Sequence, residues 1–240
     1  MKIGTINIDW FKKSKAVKDL IVEKINKQDF DFLIVTKNIL SFQFNENYFN
    51  YHSIPIPTDA EFQHLHYGEY LKGEIPIRTS IFSKHQSASQ INTNDTYTSL
   101  CHKFIIEEKE ICIYGTMIGS YGIKYQNEIA RPELDNFKSD IQSIFSVNQN
   151  VFIAGDFNTS FYKDENRQLA TIQSRDEIIN FTNGLNISRS TEKMEQTIDH
   201  IFISEKLNVQ AHVLPLTFLS NDILKDEPHQ GILLEVDFYP

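Results

Sequence analysis

Asn150-Val151-Phe152-Ile153-Ala154-Gly155-Asp156-Phe157-Asn158-Thr159-Ser160 is the stretch on which the reading of the chain turns. The apolar run 151–154 has the length of a buried strand. Gly155 ends it and allows a sharp turn or the close approach of a ligand. Asp156 and Asn158 follow with one residue between them. Side chains alternate along an extended segment, so a carboxylate and an amide would point the same way at the end of a core strand. Such a pair suits a metal ion, a water or a phosphate. Gly, Asp and Asn are equally the ordinary residues of a turn, and this stretch alone does not choose between the two readings.

The chain has 240 residues, 40% of them hydrophobic and 12% aromatic, enough for a real core. No internal repeat or linker breaks it, so residues 1–240 are expected to form one domain. Net charge is −9 and the pI about 5.4. A protein that grips nucleic acid mainly through phosphates carries basic surface, so this balance argues against broad, non-specific DNA binding but allows a small basic site. No apolar run is long enough to span a membrane. The start, Met1-Lys2-Ile3-Gly4-Thr5-Ile6, lacks the features of a signal peptide, and a cytoplasmic location is expected. Cys101 and Cys112 lie in apolar runs and read as buried free thiols.

Outward from the central stretch, strands are predicted over 2–8, 30–36, 48–54, 77–83, 96–106, 110–118, 197–204, 209–218 and 231–238. Ser14 is a good N-cap for a helix over 15–28, with Val17, Leu20, Ile21 and Ile25 on its buried stripe. Pro132 suits the first turn of a second helix, and a third covers 175–183, closed by Asn183-Gly184. Lys12, Lys13, Lys15 and Lys18 read as a solvated face. His64 and His66 read as loop histidines rather than a metal site. The irregular stretches 38–75, 119–131 and 159–175 are where substrate loops would lie. Strands mixed with a few helices point to a layered α/β architecture.

Four polar positions at strand ends stand out: Asn7, Asp156 with Asn158, Asp199 and His229. In this order they resemble the motifs of the endonuclease/exonuclease/phosphatase superfamily. Ile6-Asn7-Ile8 matches its early strand ending in Asn, and Gly155-Asp156-Phe157-Asn158 its Gly-Asp-x-Asn motif. Ile198-Asp199-His200-Ile201-Phe202-Ile203-Ser204 matches a later strand, and residues 77–84 match the strand ending in Ser-Lys. His229 is what remains of the closing Ser-Asp-His motif. The resemblance implies a four-layered α/β sandwich, with two mixed β-sheets face to face and helices outside. It also implies hydrolysis of a phosphodiester or phosphomonoester by water, usually with Mg²⁺. On that reading Asp156 orients or deprotonates water, Asn7 and Asn158 position water and phosphate, and Asp199 fixes the tautomer of a charge-stabilising His229.

Two positions depart from the pattern. Lys37 stands where the resemblance implies a metal-binding Glu, and Pro228 where it implies the Asp before the final His. Binding of Mg²⁺ or Mn²⁺ is therefore expected to be weakened, and the metal ligands are unknown. Three readings follow: a metal-dependent phosphoesterase with Asp9, Asp226 or Glu227 substituting; a site in which the Lys37 ammonium takes the metal's place; or an inactive fold serving as a binding module. The expected partner is a phosphate ester, with nucleic acid among the candidates, and Lys37 and Arg131 are candidate phosphate contacts.

Overall fold

The protein is described by a computed structural model that covers residues 1–56, 73–119, 131–162, 172–195, 197–216 and 231–239, apart from the side chains of Arg131 and Ile172. His64, His66, Asp226, Glu227, Pro228, His229 and parts of the three irregular stretches lie outside these residues.

Among the described residues, twelve strands form two six-stranded mixed sheets. The first runs in the order β11 (Val209–Pro215), β12 (Ile232–Phe238), β1 (Lys2–Asn7), β2 (Phe32–Ile39), β4 (Pro76–Ser83) and β3 (Phe49–His52). The second runs β5 (Ser89–Ile91), β6 (Ser99–Ile106), β7 (Lys109–Met117), β8 (Val151–Asp156), β10 (Asp199–Ser204) and β9 (Ile187–Arg189). Each sheet carries one parallel pair, β1 with β2 and β7 with β8.

Alternation along the strands builds the layers. Ile3, Ile34 and Ile81 of the first sheet meet Ile113, Phe152, Ala154 and Ile201 of the second in one buried cluster. The opposite face of the first sheet, through Ile6, Leu33 and Val35, packs on α1 (Lys15–Asn26). The outer face of the second, through Tyr114, Ile153 and Phe202, packs on α2 (Arg131–Val147) and α3 (Ile172–Gly184). The result is the α/β/β/α sandwich expected from the sequence. Helix α1 has only 12 residues, too few to be stable alone. Ile21 and Ile25 are 0% and 1% exposed, and burying each contributes about 1.5–3 kcal/mol, so packing holds the helix. Ser14 caps it as expected, its hydroxyl accepting from the Val17 amide.

Several boundaries differ from the sequence reading for local reasons. The 48–54 strand shortens to Phe49–His52, because beyond it Ser53 and Ile54 pair outside the ladder, with Thr79 and Thr96. The 96–106 strand starts at Ser99 because Asp95 folds back, its carboxylate accepting from the amides of Tyr97 and Thr98. The short edge strands β5 and β9 carry no alternating pattern and were not expected. Both cysteines are buried free thiols. Among the described residues no helix is long and apolar enough to cross a membrane.

Candidate functional site

Both parallel strand pairs end at the same end of the sandwich. Asn7 closes β1 and pairs with Thr36 of β2. Asp156 closes β8, pairs with Met117 of β7 on one side and faces Asp199 of β10 on the other. The carboxyl ends of strands are the usual place for a ligand in open α/β sheets.

A side-chain hydrogen bond joins the two sheets there. The Asn7 side chain donates from Nδ2 to Asp156 Oδ2 at 2.9 Å. Asn7 cannot turn over to present its oxygen, because its Oδ1 already accepts from the Asp9 amide at 3.0 Å. The other Asp156 oxygen, Oδ1, accepts from the Asn158 amide at 2.9 Å. Asp156 is 0% exposed and Asn7 1%. The carboxylate is thus fixed in direction by two donors, as a group poised to act on a bound molecule must be.

Strained backbone gathers around this pair. Asp9, Lys37 and Asn158 have φ of 39°, 53° and 49°, and Gly119 and Gly155 have 87° and 149°. Left-handed non-glycine residues cost roughly 1–3 kcal/mol each and persist where the surroundings over-determine them, often at functional sites. At Gly155 the reason is explicit: a Cβ would stand 1.8 Å from the Thr116 carbonyl oxygen. Asn158 points its amide away from the carboxylate, donating from Nδ2 to Ile118 O at 2.6 Å. That bond ties the turn after β8 to the end of β7, where the Gly119 amide in turn donates to Glu133 Oε2 at 2.9 Å.

The turn after Asp156 is also clamped from beneath. His200 is fully buried and faces Gly155 across the β8–β10 ladder. Its Nε2 lies 2.8 Å from the Thr159 carbonyl and its Nδ1 2.7 Å from Thr191 Oγ1. A carbonyl only accepts, so Nε2 carries the hydrogen and Nδ1 accepts from the threonine hydroxyl. Burial pushes the pKa of this imidazole down to about 3, which keeps it neutral. Phe157, Phe161 and Phe202 enclose the ring.

The structure therefore brings together Asn7, Asp156, Asn158 and Asp199. Asp199 is 0% exposed, its amide accepted by Thr197 Oγ1 at 3.3 Å. Lys37 sits half-buried one residue beyond Thr36, the partner of Asn7. Arg131 begins α2, its side chain outside the described residues, as is His229. Lys12, read as solvated, pairs at the surface with Asp9 at 2.7 Å. Sequence reading missed Glu133, Thr159, Thr191 and His200. Only His200 carried a signal: it is a polar residue inside an otherwise apolar strand, next to a residue already singled out.

Mg²⁺ is usually held by one or two carboxylates, with waters and substrate phosphates completing its shell. Here each Asp156 oxygen accepts one amide hydrogen and keeps a further lone pair, and Lys37 stands where the resemblance implies a further carboxylate. Among the described residues no group of three or more His, Cys, Asp or Glu gathers that could hold a metal ion.

No family model and no curated protein matches the chain. Solved structures do. The 3'-5' exonuclease (NExo) from Neisseria meningitidis superposes with a TM-score of 0.69 at 12% identity, covering 99% of this chain and 100% of its own. An AP endonuclease from Archaeoglobus fulgidus gives 0.66 at 12% identity, over 99% of each chain. The human Nocturnin catalytic domain gives 0.66 at 16% identity, over 100% of this chain and 93% of its own. The chain has the endonuclease/exonuclease/phosphatase fold that its motifs resembled, along its whole length.

Proposed function

We propose that this protein is a phosphoesterase-type hydrolase, of the nuclease or phosphodiesterase kind, with Asn7, Asp156, Asn158, Asp199 and His229 as its centre. The observation that carries the reading is the Asn7–Asp156 bond, which joins strand ends 149 residues apart and leaves one oriented carboxylate at a ligand-binding end of the fold. Two proteins of this fold bear names of phosphate-ester enzymes: NExo, named both an exonuclease and a 3' phosphatase, and an AP endonuclease.

In the proposed reaction Asp156 takes a proton from water as its oxygen bonds to phosphorus. The P–O bond to the leaving group breaks, and the leaving oxygen takes up a proton. Asn7 holds Asp156 in line, and Asn158 shapes the turn that presents it. His229, oriented by Asp199, stabilises charge on the phosphoryl oxygens, and Arg131 contacts the phosphate. The Lys37 ammonium favours a second reading, a phosphate-binding module without turnover, because it removes a family feature used in catalysis.

Hydrolysis of bis(p-nitrophenyl) phosphate, p-nitrophenyl phosphate and single-stranded DNA and RNA oligonucleotides separates the two. Turnover by the wild type that drops by about 10²–10⁴-fold in Asp156→Asn supports the hydrolase. Equal turnover in Asp156→Asn, His229→Ala and wild type refutes this centre. No turnover of any ester, with or without Mg²⁺ or Mn²⁺, favours the module.

A further inference from the structure

A closed ring of contacts runs around the Asp156 end of the sandwich. Asn7 of β1 pairs with Thr36 of β2, and Thr36 pairs with Thr79 of β4. The Thr79 hydroxyl leaves the first sheet and donates from Oγ1 to the Thr98 carbonyl, just before β6 of the second, at 2.7 Å. The same carbonyl accepts from the Met117 amide at 3.0 Å. Met117 pairs with Asp156, whose carboxylate accepts from Asn7 and closes the ring. The ring thus crosses from one sheet to the other twice, each time through a side-chain hydrogen bond.

Thr79 is fully buried, between Ile77 and Ile81 on the inner face of β4. An apolar side chain would fill the place equally well, but apolar contact has no direction. A hydrogen bond fixes a distance and an angle. Gly115 of β7 makes the room, since a Cβ there would stand 3.1 Å from the Thr79 methyl. Both ends of the bond are held. Ser53 Oγ accepts from the Thr79 amide at 3.3 Å, and the Ser53 amide donates to the Thr79 carbonyl at 2.9 Å. Asp95 Oδ1 accepts from the amides of Tyr97 and Thr98 at 3.0 and 3.2 Å. Buried Asp140 of α2 anchors the same loop, accepting from the Asn94 amide and Nδ2 at 2.6 and 2.7 Å.

We propose that Thr79 is a positioning residue of the hydrolytic centre: through the Thr98 carbonyl, its hydroxyl fixes the separation of the sheets at which Asn7 reaches Asp156. A catalytic constellation has to be held to within about 0.5 Å, and the Asn7–Asp156 bond by itself is a single tie between two sheets. The Thr79–Thr98 bond is the second, and the two together set spacing and alignment. Thr79 touches no reacting atom; it acts through Asn7. The inference rests on the phosphate-ester reading above for the centre that Thr79 serves, and adds a residue that the matched motifs do not single out.

Hydrogen exchange of the Asn7 side-chain amide in the full chain, followed by nuclear magnetic resonance, reads the bond to Asp156 without any substrate. Thr79→Val keeps the shape and removes the donor, while the Thr98 carbonyl keeps the Met117 amide. Asn7 exchange should quicken about tenfold in Thr79→Val, the scale of one hydrogen bond, and return to the wild-type rate in Thr79→Ser. Gly115→Ala, which crowds the Thr79 methyl from the other sheet, should quicken it as well. Wild-type exchange in Thr79→Val overturns the inference, as does failure of Thr79→Ser to restore it. Equal quickening at the backbone amides of β1 and β2 overturns it too, since that is only a weaker fold. If Thr79→Val does not fold, Gly115→Ala decides by the same comparison. Ester turnover adds a second readout: kcat should fall about tenfold in Thr79→Val with KM within about twofold, and recover in Thr79→Ser. The hydrolase reading can fail separately. Asn7 exchange that follows Thr79, with no turnover of any ester by the wild type, supports the tie and removes the enzyme. Turnover and Asn7 exchange both unchanged in Thr79→Val do the reverse.

Discussion

Replacing Gly155 with alanine puts the geometry of the site under direct load. The added Cβ would stand 1.8 Å from the Thr116 carbonyl oxygen, whereas real Cβ atoms essentially never come within 3.0 Å of such an atom. Strands β7 and β8 must therefore part locally by at least the difference, about 1.2 Å. The next residue is Asp156, whose bond to Asn7 is 2.9 Å long. If that displacement passes along the chain, the pair opens to about 4 Å, beyond any hydrogen bond. Overpacking costs about 1–3 kcal/mol, and a side chain at a φ of 149° adds about 1–3 kcal/mol of strain. The expected loss is thus about 2–6 kcal/mol, a large share of the roughly 5–15 kcal/mol that holds a domain together. Urea unfolding measures it. Any phosphate-ester turnover should fall further than the folded fraction does, because the site distorts before the fold is lost. A Gly155→Ala protein within about 0.5 kcal/mol of the wild type, outside the range of a specific structural effect, would refute the reasoning.

Asn7→Ala should cost about 1–3 kcal/mol, since it leaves Asp156 Oδ2 buried without its donor; thermal unfolding reads the loss, and unchanged stability would mean that the bond contributes nothing. His200 should make stability pH-dependent. Its folded pKa is pushed down to about 3 from an ordinary 6.5, so the unfolded chain binds the proton first. The contribution is fully present above about pH 6.5 and falls, by at most about 1.4 kcal/mol per pH unit, as pH drops toward 3. Urea midpoints across that window should fall less steeply for His200→Gln than for the wild type, and parallel curves would count against a buried neutral imidazole. Glu133→Ala frees the Gly119 amide and should speed hydrogen exchange there without changing global stability by more than about 1–3 kcal/mol; exchange at the wild-type rate would show that the contact does not hold the turn.

The sandwich was legible because its strands announce themselves. Runs such as 151–154 and 232–234 are apolar enough to require burial on both faces, and the helices show their stripes through Ile21, Ile25, Phe137 and Ile141. The convergence of Asn7, Asp156 and Asp199 was legible only through the order of motifs, since nothing local says that β1 and β8 end together. The rest was hidden for physical reasons. Asn158 read as a group facing the ligand, but its left-handed backbone turns the amide to Ile118 O, and strand alternation cannot foresee a break in strand conformation. Glu133 and Thr191 act through backbone and hydroxyl contacts that depend on tertiary placement.

A crystal structure of the protein grown with inorganic phosphate tests the central claim most directly. The account predicts the anion at the Asp156 end of the sandwich, beside Asn7 and Asp156. Phosphate bound elsewhere, with that end empty at saturating concentration, would contradict it.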